Sequence, residues 1–161
     1  DFLLYIFGIL STRNSGYPKQ LKLSLAESKK LQQPLALIAV DLDNFNMINR
    51  LYGAAESDHI LQLICQLLLL NLRDEDLICR LAGDRFVVLL NNTSEHDAQQ
   101  MSIDLQNAVS SFAYRTREHH QRVYLSATVV TTMARTDDSD SLIKRLNLEI
   151  SKTRQQLSNA T

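Results

Sequence analysis

One segment restricts the fold more than any other. Pro34-Leu35-Ala36-Leu37-Ile38-Ala39-Val40 runs apolar without a break and then meets Asp41-Leu42-Asp43. A continuous apolar run this short suits a strand buried on both faces, since a strand with one wet face would alternate. Such a strand lies inside a sheet covered by helices. It also delivers two carboxylates to its own C-terminal end.

The rest of the chain supplies the cover. Leu21, Leu25 and Leu31 give residues 15–32 a helical pattern that stops before Pro34. Asn44 opens a short helix to about Leu51, Gly53 makes a turn, and residues 56–72 form a strongly apolar helix through Ile60, Leu61, Ile64, Leu67 and Leu68. Asp76–Leu81 and Phe86–Leu90 read as strands joined by a tight turn at Ala82-Gly83-Asp84-Arg85. Ser94 with Asp97 begins a helix that the pattern carries to about Tyr114. The β-branched run 122–133 predicts one strand, and 140–157 a last amphipathic helix with Leu142, Ile143, Leu146 and Ile150. The order α-β-α-α-β-β-α-β-α predicts an α/β (α+β) domain with a mainly antiparallel central sheet flanked by helices. No Gly-rich loop joins a strand to a helix, which excludes Rossmann and P-loop designs.

With 161 residues, 45% of them hydrophobic, the chain fits one globular domain. Residues 1–33 form an apolar segment and leading helix, and 34–161 the domain proper. A net charge of −1 gives no overall basic face, so nucleic acid is not the expected partner. Cys65 and Cys79 lie in apolar stretches and read as buried thiols in a reducing cytoplasm. No Cys/His set has zinc spacing, and His119-His120 reads as a solvated pair. The start, Asp1 to Leu10, is apolar but too short to span a bilayer, and it has no basic flank and no initiator Met. The expectation is a cytoplasmic segment of a longer protein, in which a membrane-associated signalling protein is one setting. Its apolar start would dock on the domain or continue a preceding segment.

Two features converge in such a fold: the carboxylates ending the first strand, and Asp84 at the hairpin tip, provided the hairpin lies beside that strand. Hard oxygen donors from two elements suit Mg²⁺, which carries nucleotide phosphates. Asp-x-Asp alone is weak, since it often only caps the next helix. The surrounding residues are more specific. Asp41-Leu42-Asp43-x-Phe45-x-x-Ile48-Asn49-x-x-Tyr52-Gly53-x-x-x-x-Asp58-x-x-Leu61, then Arg80-Leu81-Ala82-Gly83-Asp84-Arg85-Phe86, then Leu125-Ser126-Ala127-Thr128, resemble the GGDEF domain of diguanylate cyclases over roughly residues 34–158. Thr12-Arg13 stands where that family has Asn-Arg.

The resemblance implies a nucleotidyl-cyclase, palm-like fold and a specific chemistry. In active members two domains meet head to head, each with one GTP, and each 3′-hydroxyl attacks the other's α-phosphate to give cyclic di-GMP. By resemblance Asp41, the Leu42 carbonyl and Asp84 would hold Mg²⁺, with Asp84 also near the attacking hydroxyl as the catalytic residue. Asn49 and Asp58 would read the guanine edge, a carboxylate accepting from N1–H and N2–H₂. Phe45, Gly83 and Arg154 would complete the substrate contacts.

The departures predict impaired turnover. Ala82 replaces the first hairpin glycine, where a Cβ obstructs close approach of a phosphate. Arg85 replaces a glutamate, and it would either pair with Asp84 against Mg²⁺ or reach a phosphate itself. Asn46, Arg50, Ala54 and Ser57 replace the family's Lys, Asp, His and Gly, and Ser158 replaces an arginine, while Arg154 keeps a cation. Arg73-Asp74-Glu75-Asp76 resembles the family's inhibitory Arg-x-x-Asp site for product cyclic di-GMP. The basic stretch Arg115, Arg117, His119, His120 and Arg122 reads as a solvated loop. Three functions stay open: a regulatory module binding GTP or cyclic di-GMP beside a neighbour such as an EAL phosphodiesterase, a weak cyclase working as a homodimer, and a protein-interaction scaffold.

Overall fold

The computed structural model describes residues 17–135 and 138–161. The apolar start at 1–10 and Thr12-Arg13 lie outside the described residues. Helix α1 (Tyr17–Leu31) leads to β1 (Leu35–Leu42), followed by α2 (Phe45–Tyr52) and α3 (Ala54–Leu70). Next come β2 (Leu77–Ala82), β3 (Arg85–Asn91) and α4 (Glu95–Ser110). Two short strands, β4 (Tyr114–Arg115) and β5 (Arg122–Val123), precede β6 (Ala127–Met133) and α5 (Ser139–Asn159). The main sheet has the order β2-β3-β1-β6, and every pair in it is antiparallel.

Strand β1 is central, and all eight of its residues are buried. Period-two alternation divides them between two cores. Ala36, Ile38, Val40 and Leu42 meet Ile60 and Ile64 of α3 and Leu105 and Val109 of α4. Leu35, Leu37 and Ala39 meet Leu21 and Leu25 of α1 and Leu142, Leu146 and Ile150 of α5. The unbroken apolar run follows from this double burial. The same alternation matters at the strand end, because Asp41 falls on the α5 face.

Local chemistry fixes the turns. Asn44 enters α2 with φ 55, a left-handed conformation that asparagine tolerates. Gly53 sits at φ 83 between α2 and α3, where a side chain would be strained. Ser94 caps α4 by accepting from the Asp97 N–H, and Asp138 caps α5 by accepting from the Ser141 N–H.

Two expectations are corrected. Helix α4 ends at Ser110 rather than running to Tyr114, because Tyr114 pairs with Val123 in a separate β4–β5 hairpin. The run 122–133 is not one strand. Tyr124-Leu125-Ser126 leaves the ladder, and the Ser126 carbonyl accepts instead from the Asp43 N–H at 2.9 Å. Both cysteines are free, but only Cys65 is buried as read and Cys79 is half-buried; desolvation pushes their pKa values up to about 12 and about 11.

Phe86 is fully buried on β3 against the α3/α4 core. Phe86→Ala is expected to destabilise the domain by about 3–5 kcal/mol in urea unfolding. A loss under about 1 kcal/mol would mean that this core is not close-packed.

Candidate functional site

The strand ends and α5 build a charged cluster. In the β1–β3 register Asp41 lies opposite Arg85, so both side chains share the α5 face. Along α5 the apolar stripe Leu142, Leu146, Ile150 advances by four residues, and the next position on it is Arg154. The stripe runs off the apolar core at the strand end, and Arg154 meets the carboxylates there.

Asp41 has a side chain only 2% exposed, and it takes two guanidiniums on one oxygen. Arg85 Nη2 donates to Oδ2 at 2.9 Å, and Arg154 Nη1 forms an ion pair with the same atom at 2.7 Å. Arg154 Nη2 also reaches Asp43 Oδ1 at 3.2 Å and the Leu42 carbonyl at 3.4 Å. Asp43 is held further by the hydroxyls of Ser126 and Thr128, each donating at 2.8 Å. Arg85 Nη1 donates to Asn147 Oδ1 at 2.7 Å, while its Nε is buried and has no partner among the described residues. Of the two roles expected for Arg85, the pairing with Asp84 is corrected: register places Arg85 against Asp41.

Asp84 sits in the β2–β3 turn, and its carbonyl accepts from the Leu42 N–H at 3.0 Å, which ties the turn to the end of β1. Burial, and then the nearby Asp41 charge, raise its pKa above the ordinary carboxylate value. At Gly83 a Cβ would meet nothing within 4 Å, so the turn leaves open space there. A cleft of about 680 Å³ opens above the cluster, lined among others by Leu42, Phe45, Asn46, Arg50, Asp84 and Arg154.

The anticipated residues thus divide. Leu42, Phe45, Asp84 and Arg154 line one cleft, with Asp41 beneath it. Asn49 and Asp58 do not line it; they are exposed on α2 and on the first turns of α3. They are linked through Ser57, whose Oγ lies 3.3 Å from Asn49 Oδ1. Arg73 and Asp76 form a separate site between α3 and β2. The Asp76 side chain is fully buried, and it accepts from Arg73 Nη2 at 2.7 Å, from Nε and from the backbone N–H. Arg73 Nη2 also donates to Thr93 Oγ1 at 2.7 Å.

Sequence reasoning missed Asn147, Ser126 and Thr128 as partners of the cluster. Ser126 and Thr128 had a signal, since both belong to the segment Leu125-Ser126-Ala127-Thr128 that matches the family pattern. It also missed Glu56, which is buried and accepts from Tyr114 Oη and from the Arg117 N–H at 3.1 Å and Nε at 3.3 Å. Arg117, read as solvated, anchors the β4–β5 hairpin to α3. The Tyr114 hydrogen bond is the foremost cause of a lowered Glu56 pKa.

Mg²⁺ does not fit this arrangement as it stands. Of the three donors expected for it, Arg154 contacts two, Asp41 and the Leu42 carbonyl, and Arg85 holds Asp41 as well. Among the described residues no group of three or more acidic, His or Cys side chains could hold a metal. A divalent ion would have to displace Arg154.

Because its pKa is raised on folding, ionised Asp84 destabilises the fold at neutral pH. That penalty shrinks as pH falls through the raised value and vanishes below the ordinary value of 3.8. Asp84→Asn is therefore expected to raise Tm at neutral pH and to lose this advantage in acid. Thermal unfolding across pH checks this, and an advantage that grows toward acid would contradict it.

The comparisons agree with this geometry. Residues 14–160 match the family model described as diguanylate cyclase, GGDEF domain. A diguanylate cyclase of Vibrio cholerae is 28% identical over 106 residues, which cover 66% of this chain and 32% of that protein. The cyclic di-GMP phosphodiesterase NbdA of Pseudomonas aeruginosa is 38% identical over 68 residues, covering 42% of this chain and 9% of that one. The chain thus spans a third or less of these relatives' lengths. The GGDEF domain of DgcB from Caulobacter crescentus, solved in complex with c-di-GMP, superposes with a TM-score of 0.84 at 13% identity, covering 90% of this chain and 86% of that one. No helix among the described residues is long and apolar enough to cross a membrane. A central antiparallel sheet with its carboxylates at one strand end, and a family model matched over nearly the whole length, make this chain a member of the GGDEF domain family of cyclic di-GMP signalling.

Proposed function

We propose that the domain is a regulatory GGDEF module that binds GTP, cyclic di-GMP or both, and turns GTP over poorly. The observation that carries this reading is the double ion pair on Asp41. Cyclases of this family generally use Mg²⁺. Here two guanidiniums neutralise the carboxylate that would receive it, and Arg85 adds a like charge against any entering cation. Phosphoryl transfer depends on positioning and charge neutralisation, so losing the metal donors slows it by orders of magnitude.

Ligand binding needs less. Asp58 and Asn49 are exposed and adjacent through Ser57, which supports their reading of a guanine edge. Phosphates would enter the cleft beside Arg154 and Arg50, both on its wall. At the second site cyclic di-GMP would share the Arg73 guanidinium with Asp76. That side chain is 42% exposed and keeps a face for a phosphate or a base.

One observation favours a second reading, a weak cyclase acting as a homodimer: Asp84 still lines the cleft. An EAL phosphodiesterase neighbour in a longer protein remains part of the regulatory reading, and the likeness to a cyclic di-GMP phosphodiesterase supports it.

Calorimetric titration with GTP/Mg²⁺ and with cyclic di-GMP, run beside a product assay, decides between them. Micromolar binding without product is the expected result. Mg²⁺-dependent cyclic di-GMP formation that Asp84→Ala abolishes would establish the cyclase instead, and binding of neither ligand would leave a scaffold. Arg85→Glu is expected to tighten Mg²⁺ binding at least about tenfold, the equivalent of about 1.4 kcal/mol. Arg73→Ala is expected to abolish cyclic di-GMP binding at the second site, and binding that survives it would remove the Arg-x-x-Asp assignment.

A further inference from the structure

The β4–β5 hairpin forms a sheet of its own, and its two faces differ in character. Burial alternates along residues 114–116 and 122–125. Tyr114, Thr116, Val123 and Leu125 turn inward and are buried, whereas Arg115, Arg122 and Tyr124 turn outward. The register sets Arg115 directly across from Arg122, so both cations share the outward face. Like charges directly opposite each other destabilise such a ribbon. The carboxylate contacts of the hairpin go elsewhere, to Arg117, which holds Glu56, and to His119, beside Glu118. Arg115 and Arg122 therefore have no carboxylate partner among the described residues.

Both arginines are nevertheless held in place. Arg115 Nη1 donates to the His120 carbonyl at 3.0 Å, and the Arg122 guanidinium lies over the Tyr124 ring, 4.8 Å from its centroid. Tyr124 is 79% exposed, so its ring contributes little to the core. The support beneath is firm. Glu56 of α3 accepts from Tyr114 Oη and from the Arg117 backbone, and Thr116 closes the turn by accepting from the His120 and Gln121 N–H groups. Two oriented guanidiniums beside an exposed tyrosine form a preorganised surface, with the residue types that dominate binding energy at protein interfaces.

We propose that the outward face of the β4–β5 hairpin docks an acidic peptide segment of a partner protein, with Arg115 and Arg122 taking its Asp or Glu carboxylates and Tyr124 packing on the apolar side chains between them. A carboxylate seated between the two guanidiniums would relieve their mutual repulsion and accept from both planar forks. The surface does not suit nucleic acid. Residues 114–124 contain no lysine, only two outward arginines face the partner, and the whole chain carries a net charge of −1. A polynucleotide binder needs a run of cations that tracks successive phosphates. This docking reading is independent of whether the cleft takes a nucleotide.

The test titrates two short fluorescent peptides into the unmodified chain, one alternating Glu with Leu and one alternating Gln with Leu, beside a single-stranded DNA oligonucleotide. The Glu peptide is expected to bind, and the Gln peptide to bind about tenfold more weakly or not at all. Arg115→Gln and Arg122→Gln are each expected to weaken the Glu peptide about two- to fivefold, the range of one exposed ion pair, and together about tenfold. Since removing either cation ends the repulsion, Tm is expected to hold or rise in both single variants, which separates lost docking from lost folding. Amide NMR on the unmodified chain locates the peptide without any substitution. The expected shifts fall on Arg115, Arg122 and Tyr124. Shifts confined to the cleft around Arg154 or to Arg73 would overturn the inference. So would absence of Glu-peptide binding, or binding that the double variant leaves unchanged. Tighter binding of the oligonucleotide than of the Glu peptide would also overturn it, by making this face a nucleic-acid surface.

Discussion

A carboxylate that is almost wholly shielded from water is stable as an anion only if charge and hydrogen bonds reach it from the protein. Asp41 is in that position, and it draws on two elements, Arg85 from β3 and Arg154 from α5. Each pairing is a consequence of regular structure. Strand register sets Arg85 across from Asp41, and helical period sets Arg154 one step beyond the apolar stripe of α5. Once both are made, the hairpin turn, the end of β1 and the last helix are joined at one atom. Asp43, with Ser126, Thr128 and Arg154 around it, extends the joint to the start of β6.

The cluster contains three carboxylates, Asp41, Asp43 and Asp84, against two guanidiniums. That near balance lets the carboxylates lie close together, while burial and the Asp41 charge keep the pKa of Asp84, for which no ion pair is found among the described residues, above the ordinary value. A divalent cation entering such a cluster would meet two resident positive charges. A ligand phosphate would compete with Asp41 and Asp43 for Arg154 and would leave the Arg85 pair in place. The less exposed of the two arginines, with 23% of its side chain accessible against 40% for Arg154, is the one tied down by Asn147.

Much of this was legible in the sequence. The double burial of β1 followed from seven apolar residues in a row and the hairpin from its spacing, whereas its place beside β1 is given by the β1–β3 pairing. What was not legible depends on partners distant along the chain. Pairing of Arg85 with Asp84 was one reading because they are sequence neighbours, whereas Asp84 lies in the turn and Arg85 opens β3, where the antiparallel register sets it across from Asp41. Tyr114 continued the apolar spacing of α4 well enough to be taken as helix. Its hydroxyl, however, finds Glu56 58 residues away, and that tertiary bond outweighs a weak local preference. Glu56 itself looked like any solvated helix residue, since nothing nearby in sequence announces Arg117 as its partner.

The two halves of the proposed ligand site therefore differ in how they are fixed. The phosphate end depends on ion pairs that a charged ligand or a metal would have to break, which is the observation behind the proposed regulatory reading. The proposed base end depends on contacts that a nucleotide would not need to break, the Ser57–Asn49 pair and the hold of Tyr114 and Arg117 on Glu56, of which the Arg117–Glu56 contact is itself an ion pair. Under the proposed reading, a site preorganised for the base and closed against the metal would favour recognition over turnover, because binding requires complementarity to the ground state whereas catalysis requires it in the transition state. In that reading it is the Arg85–Asp41 pair, built by strand register, that weights the domain toward recognition.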